Sequence, residues 1–400
     1  MEVNAIYEGD NLDVLSKFEN ESVNLIYADP PFYTSQEWEV IWKDTQEKMA
    51  FKDRWAGGIE HYITYMKPRL TECHRVLKKT GSMYLHCDWH ANYKLRELMN
   101  SIFTESQFRN EIIWYYYNKY SAGKKCFPRA HDTILFYSKT DDAYFNPLRE
   151  KREEPVKQLL RENIDGVLKN KKDKKGHCMY RIVEDKKMDD VWRIPCLQPA
   201  SSDWLGYPTQ KHIDLLKRIV EASSKEGDIV LDPFCGCGTT LAAAQVLGRK
   251  WIGIDVSPTA CKLMVKRMRQ KYSVNANWIR GAVDINYIKK LPHFEFQNWV
   301  VVNKFGGRVS ATKSGDMGID GFTPQIYGGY PIQVKQSEGI GRNPIDNFRA
   351  AIQRYKMKKG YFVAYSFGSG AVEEVARLKN QEGIEIILRT VQELLDGKVE

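Results

Sequence analysis

Short apolar runs alternate with helix-period segments along residues 1–275 of this chain. A chain patterned in this way buries its strands as a parallel sheet with helices on both faces. Residues 23–28 read as a buried strand that runs into Asp29-Pro30-Pro31-Phe32. A helical pattern carrying Ile63, Met66, Leu70, Cys73 and Leu77 is expected to end at Gly81, with strands at 83–86, 111–117 and 133–137 to follow. From about 141 to 206 the alternation lapses. Residues 149–175 hold ten Lys or Arg against six Asp or Glu, and a charge run of that kind reads first as a solvated surface insertion. Alternation resumes with a helix over 209–222, a strand over 228–231, a glycine loop, a helix over 239–247 and a strand over 251–254. A second unit is expected from Leu291, after a connector over 287–292. Its order is a helix (294–302), strands at 308–312, 319–326 and 330–336, a helix (345–357), a strand (360–365), then helix and strand again. The expected architecture is therefore α/β throughout: a doubly wound sheet over 1–290 with an insertion at about 141–206, then a smaller α/β domain over 291–400.

Composition narrows the class without choosing the function. With 42% hydrophobic and 28% charged residues over 400 positions, disorder, collagen and disulfide miniproteins are excluded. The eight cysteines lie scattered between Cys73 and Cys261, which fits a reducing compartment. No leader-like head or long apolar run is read, so a cytoplasmic protein away from the membrane is expected. The formal charge of +9 suits a polyanionic partner and equally suits many basic enzymes.

Two motifs carry chemistry. Asp228-Ile229-Val230-Leu231-Asp232-Pro233-Phe234-Cys235-Gly236-Cys237-Gly238-Thr239-Thr240 is a strand, a glycine turn and a helix start, where backbone can pass close to a ligand. A dinucleotide fingerprint wants a third glycine where Leu241 stands. Asp255, nineteen residues after Gly236, is placed to bind ribose hydroxyls, so a nucleoside without a pyrophosphate fits both facts. In Asp29-Pro30-Pro31-Phe32 the prolines stiffen the end of a strand. The Asp29 carboxylate and the Pro30 carbonyl can accept from an exocyclic amine, and Phe32 can stack on a flipped base. A lone Asp-Pro-Pro is more often a turn; following a buried strand and paired with the glycine loop, it is more specific.

With these motifs the chain resembles the beta-class amino-methyltransferases of DNA, including modification subunits of Type III restriction systems. The resemblance rests also on Ile6-Tyr7-Glu8-Gly9-Asp10-Asn11, Arg75-Val76-Leu77 through His86-Cys87-Asp88, Phe108 to Trp114, Tyr207-Pro208-Thr209-Gln210-Lys211 and Gly253-Ile254-Asp255. It implies a Rossmann-like methyltransferase sheet that uses S-adenosyl-L-methionine. Asp232, Phe234, Gly236, Gly238 and Thr239 would shape the methionine pocket, Asp255 would hold the ribose and Asp10 would approach the adenine. Thr209, Gln210 and Lys211 would close the other side. Asp29, Pro30, Pro31 and Phe32 would be catalytic, and residues 141–206 would recognise the target in double-stranded DNA. His212 replaces a second proline that is usual after the lysine. Aspartate at the first catalytic position resembles the adenine branch, so N6-adenine is expected, with N4-cytosine as the alternative.

Other clusters read as structure. Cys73-His74, His86-Cys87 and His90 lack paired C-x-x-C spacing and read as core. Cys235 and Cys237 are small side chains beside a ligand, and a strand buried on one face accounts for at least half of Trp114-Tyr115-Tyr116-Tyr117. In the second unit, Gly315-Asp316-Met317-Gly318-Ile319-Asp320-Gly321 is followed by Gln333-Val334-Lys335. This resembles the Mrr-like branch of the PD-(D/E)xK restriction endonucleases, with Asp320 and Gln333 as ligands for Mg²⁺, Lys335 orienting water and Glu295 as an acid on the first helix. Glutamine stands where glutamate would add a charge, so an inactive DNA-binding tail is the alternative. The reading is a restriction-modification protein with DNA as partner, joined by a restriction subunit or a second copy. A nicotinamide-dependent oxidoreductase is the rival from another class, and it leaves the Asp29 tetrapeptide unexplained.

Overall fold

The computed structural model describes residues 1–33, 37–41, 48–52, 58–119, 125–164, 166–207, 209–281, 283–310 and 318–399. Pro208 and the 315–317 part of the second glycine motif lie outside the described residues, as do positions 311 and 312 of the expected 308–312 strand.

Nine strands form one sheet in the order Val191–Arg193, Phe108–Tyr115, His131–Ser138, Leu77–Cys87, Val23–Ala28, Ile229–Asp232, Lys250–Asp255, Ala5–Glu8 and Asn277–Arg280. Neighbours run parallel except at His131–Ser138, which is antiparallel to both of its partners. Residues alternate between the faces as the pleat demands. Ile26 and Ala28, with Val23 from before the register shift between Val23 and Leu25, pack with Leu15, Met66, Leu70, Cys73, Leu95 and Met99 on one side. Leu25 and Tyr27 pack with Leu215, Ile219, Leu241 and Met264 on the other. Both faces are thus covered by helices, Gly58–Val76 and Asn92–Phe103 on one and Ile213–Ser223, Thr239–Val246 and Pro258–Tyr272 on the other.

Val23–Ala28 pairs with Ile229–Asp232 at the centre. From that pair the chain winds outward in opposite directions, to Leu77–Cys87 on one side and Lys250–Asp255 on the other. In such sheets the crevice beyond the carboxyl ends of the two central strands receives the ligand. Asp29 and the 234–238 loop stand at that crevice.

Several element boundaries differ from expectation. The helix Gly58–Val76 stops before Leu77, which already belongs to the next strand. The helix expected from 209 begins at Ile213, because His212 is its N-cap and accepts from the Asp214 N–H. The segment over 141–206 is more ordered than a lapse in alternation implies. Arg149–Leu159 pairs with Tyr180–Lys187, and Arg161–Ile164 with Val167–Asn170. Most of their side chains are exposed on both faces, so no apolar period of two marks them in the sequence.

The C-terminal sheet runs Arg308–Val309, Gly321–Phe322, Pro331–Val334, Lys359–Ala364, Glu385–Thr390, with the last three strands parallel. The expected connector holds the helix Ile285–Lys290, and the helix expected over 294–302 is His293–Asn298 continued by a π-helical turn, Trp299–Lys304. The expected 319–326 strand shrinks to Gly321–Phe322, since Pro324 has no N–H for the ladder. Phe296, Trp299 and Val300 pack against Val363 and Leu394 in one core, and Ile345, Phe348 and Leu378 fill a second.

Candidate active site

Strand register brings the first site together. Ala28 pairs with Leu85, so the next residues, Asp29 and His86, lie side by side at the carboxyl end of these two neighbouring strands. His86 is fully buried. Its Nδ1 lies 2.7 Å from Tyr27 Oη and 3.7 Å from Asp29 Oδ1, and its Nε2 lies 3.4 Å from Asp132 Oδ2. Lys211 Nζ donates to Asp29 Oδ2 at 2.5 Å and stands 5.3 Å from the centre of the Phe32 ring. Burial alone would pull the Lys211 ammonium down; Asp29 and Asp132 outweigh it, and the net shift is upward. Burial likewise opposes ionisation of Asp132, and His86 together with Lys211 and Lys119 outweighs it, leaving that carboxyl below its usual range. Pro30 is buried and Pro31 exposed, and the centre of the Phe32 ring is 5.4 Å from that of His86. The result is a carboxylate, held by an ammonium and backed by an imidazole, beside an accessible aromatic ring.

The glycine loop forms the second half. Gly236 has φ +50° and Gly238 φ +74°, backbone that favours glycine. A Cβ on Gly238 would meet Met264 Cγ at 2.8 Å. Asp232 lies beneath the loop, accepting from Phe234 N–H (3.1 Å) and Thr240 Oγ1 (2.5 Å), and burial pushes its carboxyl up to about 7. Asp255 accepts from Gly236 N–H (2.7 Å) and Ser257 N–H (2.9 Å), and burial raises it to about 6. Thr239 is buried and accepts from Arg267. Asp10 caps its helix through Leu12 N–H (2.8 Å) and pairs with Arg69 at 2.6 Å.

The structure redistributes the Thr209-Gln210-Lys211 group. Thr209 is exposed. Both ends of the Gln210 amide are held by its own loop, through Asp203 O and Leu205 N–H. Lys211 joins the Asp29 side of the crevice. Sequence reading missed His86, Tyr27 and Asp132 as neighbours of Asp29, although the strand ending in Leu85-His86 carried the signal. It also missed Asn11, which donates to the Pro233 carbonyl (2.8 Å) and ties the short helix Asn11–Leu15 to the loop.

In the second unit, Asp320 accepts from Val334 N–H (2.7 Å) and from Gln297 Nε2 (2.5 Å). Gln333 is in the adjacent strand Pro331–Val334 and Lys335 lies one residue past its end; Gln333 is buried, its Oε1 without a hydrogen-bond partner among the described residues, and Lys335 is exposed. Gln333 thus carries a buried amide oxygen, a ligand type that suits a hard cation. Among the described residues no three His, Cys, Asp or Glu side chains gather into a metal cluster. Glu295 is not part of this group. It turns to Ser257 and Thr259, and Gln297 reaches Asp320 in its place, because residues two apart on a helix face different directions.

Comparison with known proteins follows the same division. The family described as DNA methylase matches residues 23–266, and the family described as restriction endonuclease matches residues 288–396. The chain is 32% identical to the DNA adenine methyltransferase YhdJ of Escherichia coli (strain K12), over 67% of this chain and 83% of that protein. It is 29% identical to the Type II methyltransferase M.HinfI of Haemophilus influenzae, over 67% of this chain and 69% of that one. A solved structure of a putative DNA modification methylase from Thermus thermophilus, complexed with S-adenosyl-L-methionine, is 22% identical. That match covers 70% of this chain and 99% of the other, with a TM-score of 0.43.

Proposed function

Because the chain belongs to the DNA methylase family, we propose that it transfers a methyl group from S-adenosyl-L-methionine to the N6 amine of an adenine flipped out of double-stranded DNA, within a restriction-modification system. The observation that carries this reading is the placement of Asp29 beside the glycine loop at the central crevice of the sheet, with Lys211 and His86 fixing its carboxylate.

Asp29 and the Pro30 carbonyl accept from the exocyclic amine, drawing its lone pair out of conjugation with the ring. Phe32 stacks on the base. Lys211 keeps the Asp29 carboxylate charge-balanced and limits its rotation, which is the preorganisation such a step needs. The cofactor, when bound, supplies the methyl group on a sulfonium. Asp255 would hold its ribose hydroxyls, the 234–238 loop would hold its methionine end and Asp10 its adenine. Residues 141–206, with their exposed hairpins, read the target sequence. In the C-terminal domain Asp320 and Gln333 would hold a Mg²⁺ ion, which would activate water for phosphodiester cleavage, with Lys335 orienting that water.

No helix among the described residues is long and apolar enough to cross a membrane, and we place the work of this protein in the cytoplasm with the DNA. A restriction subunit or a second copy would appear as a heavier species when the purified protein is sedimented on its target. The direct test incubates the protein with methyl-labelled cofactor and DNA and resolves the digested nucleosides. Label in N6-methyladenine supports the reading, label in N4-methylcytosine moves the chemistry to the other branch, and unlabelled DNA overturns it.

A further inference from the structure

Glu295 is a buried carboxylate that neither set of chemistry uses. It lies on the first helix of the C-terminal unit, is 4% exposed, and accepts from Ser257 Oγ and from Thr259 Oγ1, the latter at 3.1 Å. A buried carboxylate is stable only where donors meet it, so these two hydroxyls are held by Glu295 and hold it in turn. Both sit at the turn that follows Asp255. Ser257 is the N-cap of Pro258–Tyr272, its Oγ accepting from Ala260 N–H at 3.0 Å, and its own N–H donates to Asp255 Oδ1 at 2.9 Å. With its hydroxyl proton committed to Glu295 and its lone pair to Ala260, Ser257 has one rotamer, and its N–H has one direction. A second contact reinforces the first. Tyr287, on the connecting helix, donates to Glu8 Oε1 at 2.5 Å, and Glu8 is the register partner of Asp255 in the adjacent strand.

We infer that Glu295 is a positioning residue for cofactor binding: from the C-terminal unit it fixes the Ser257 turn that aims the Asp255 carboxylate. This rests on Asp255 being the ribose-binding acid. It makes the helix His293–Asn298 a shared support, with Glu295 serving the methyltransferase crevice and Gln297 holding Asp320.

Calorimetric titration of S-adenosyl-L-methionine into the full-length protein tests it, using Glu295→Ala, Glu295→Gln, Asp255→Ala and the Glu295→Ala/Asp255→Ala pair. Glu295→Ala is expected to weaken binding about tenfold, the scale of one misaligned charge-assisted hydrogen bond. Glu295→Gln keeps one acceptor and the volume, and is expected to fall between. In the Asp255→Ala background the Glu295 change is expected to add nothing, since it acts through that carboxylate. Wild-type affinity in the folded Glu295→Gln and Glu295→Ala proteins would overturn the inference, as would an equal further loss in the Asp255→Ala background, which assigns Glu295 to packing alone. Should Glu295→Ala not fold, Glu295→Gln with and without Asp255→Ala gives the same comparison. Unchanged affinity in Asp255→Ala would overturn the ribose reading itself and the inference with it.

Discussion

Lys211 and Asp29 are 182 positions apart in sequence and 2.5 Å apart in the crevice, so the lysine belongs with Asp29 rather than with Thr209 and Gln210. Asp29→Ala is expected to abolish methyl transfer while cofactor affinity stays near wild type, because the proposed mechanism gives that carboxylate to the base. Radiolabel transfer near the wild-type rate would refute that role. Asp255 supplies a pH test. Burial raises its folded carboxyl to about 6, above the usual value near 4. A raised carboxyl stabilises the fold below the unfolded value, and that contribution is lost as pH rises through the folded one. Cofactor binding has the opposite sign, because ribose hydroxyls donate to the ionised form. Affinity is therefore expected to rise several-fold between about pH 5 and about pH 7, and Asp255→Asn should flatten the profile in calorimetry. The Glu8 charge also raises the Asp255 carboxyl, so Glu8→Gln should move the rise to lower pH.

At the scale of elements, the glycine loop and the exposed hairpins make separate demands. Gly238 combines φ +74° with a Cβ position 2.8 Å from Met264 Cγ. Gly238→Ala is expected to cost about 1–3 kcal/mol in urea unfolding, from strain and the clash, and to weaken cofactor binding as well. Unchanged stability would mean that the helix Thr239–Val246 can shift without consequence. Among the described residues the hairpins hold no buried apolar cluster of their own. Val167, Leu168 and Ile182 are exposed on them, alongside the basic side chains that suit phosphate contacts. Exchanging residues 149–187 for the matching segment of a relative is expected to change the methylated sequence and leave the modified base the same. An unchanged recognition sequence would place target readout elsewhere.

For the whole molecule, the two units must act compatibly inside one cell. With Asp320, Gln333 and Lys335 as a working site, the purified protein is expected to cleave DNA when Mg²⁺ is added. Asp320→Ala or Lys335→Ala should stop cleavage while methylation continues. Substrate already methylated by the Lys335→Ala protein should be spared, since cutting it would destroy the host's own DNA. Absence of cleavage on either substrate, across several divalent cations, would make the tail a DNA-binding domain.

The sequence by itself determined the alternating plan, the central strand 23–28 and the tetrapeptide at its end, the glycine loop with Asp255, and the order of the second unit. All of these are local signals: apolar period, turn residues and fixed backbone geometry are written within a few neighbouring positions. Tertiary structure decided what depends on register and on distant pairing. The alignment of Ala28 with Leu85 turned a core histidine into a neighbour of Asp29. The closing of the 203–210 loop delivered Lys211 to the same carboxylate. The packing of the connecting helices directed Glu295 away from Asp320 and onto Ser257. Strand pairing and helix docking bring together residues that no spacing rule links, because hydrogen-bond ladders and buried donors select partners by position in space.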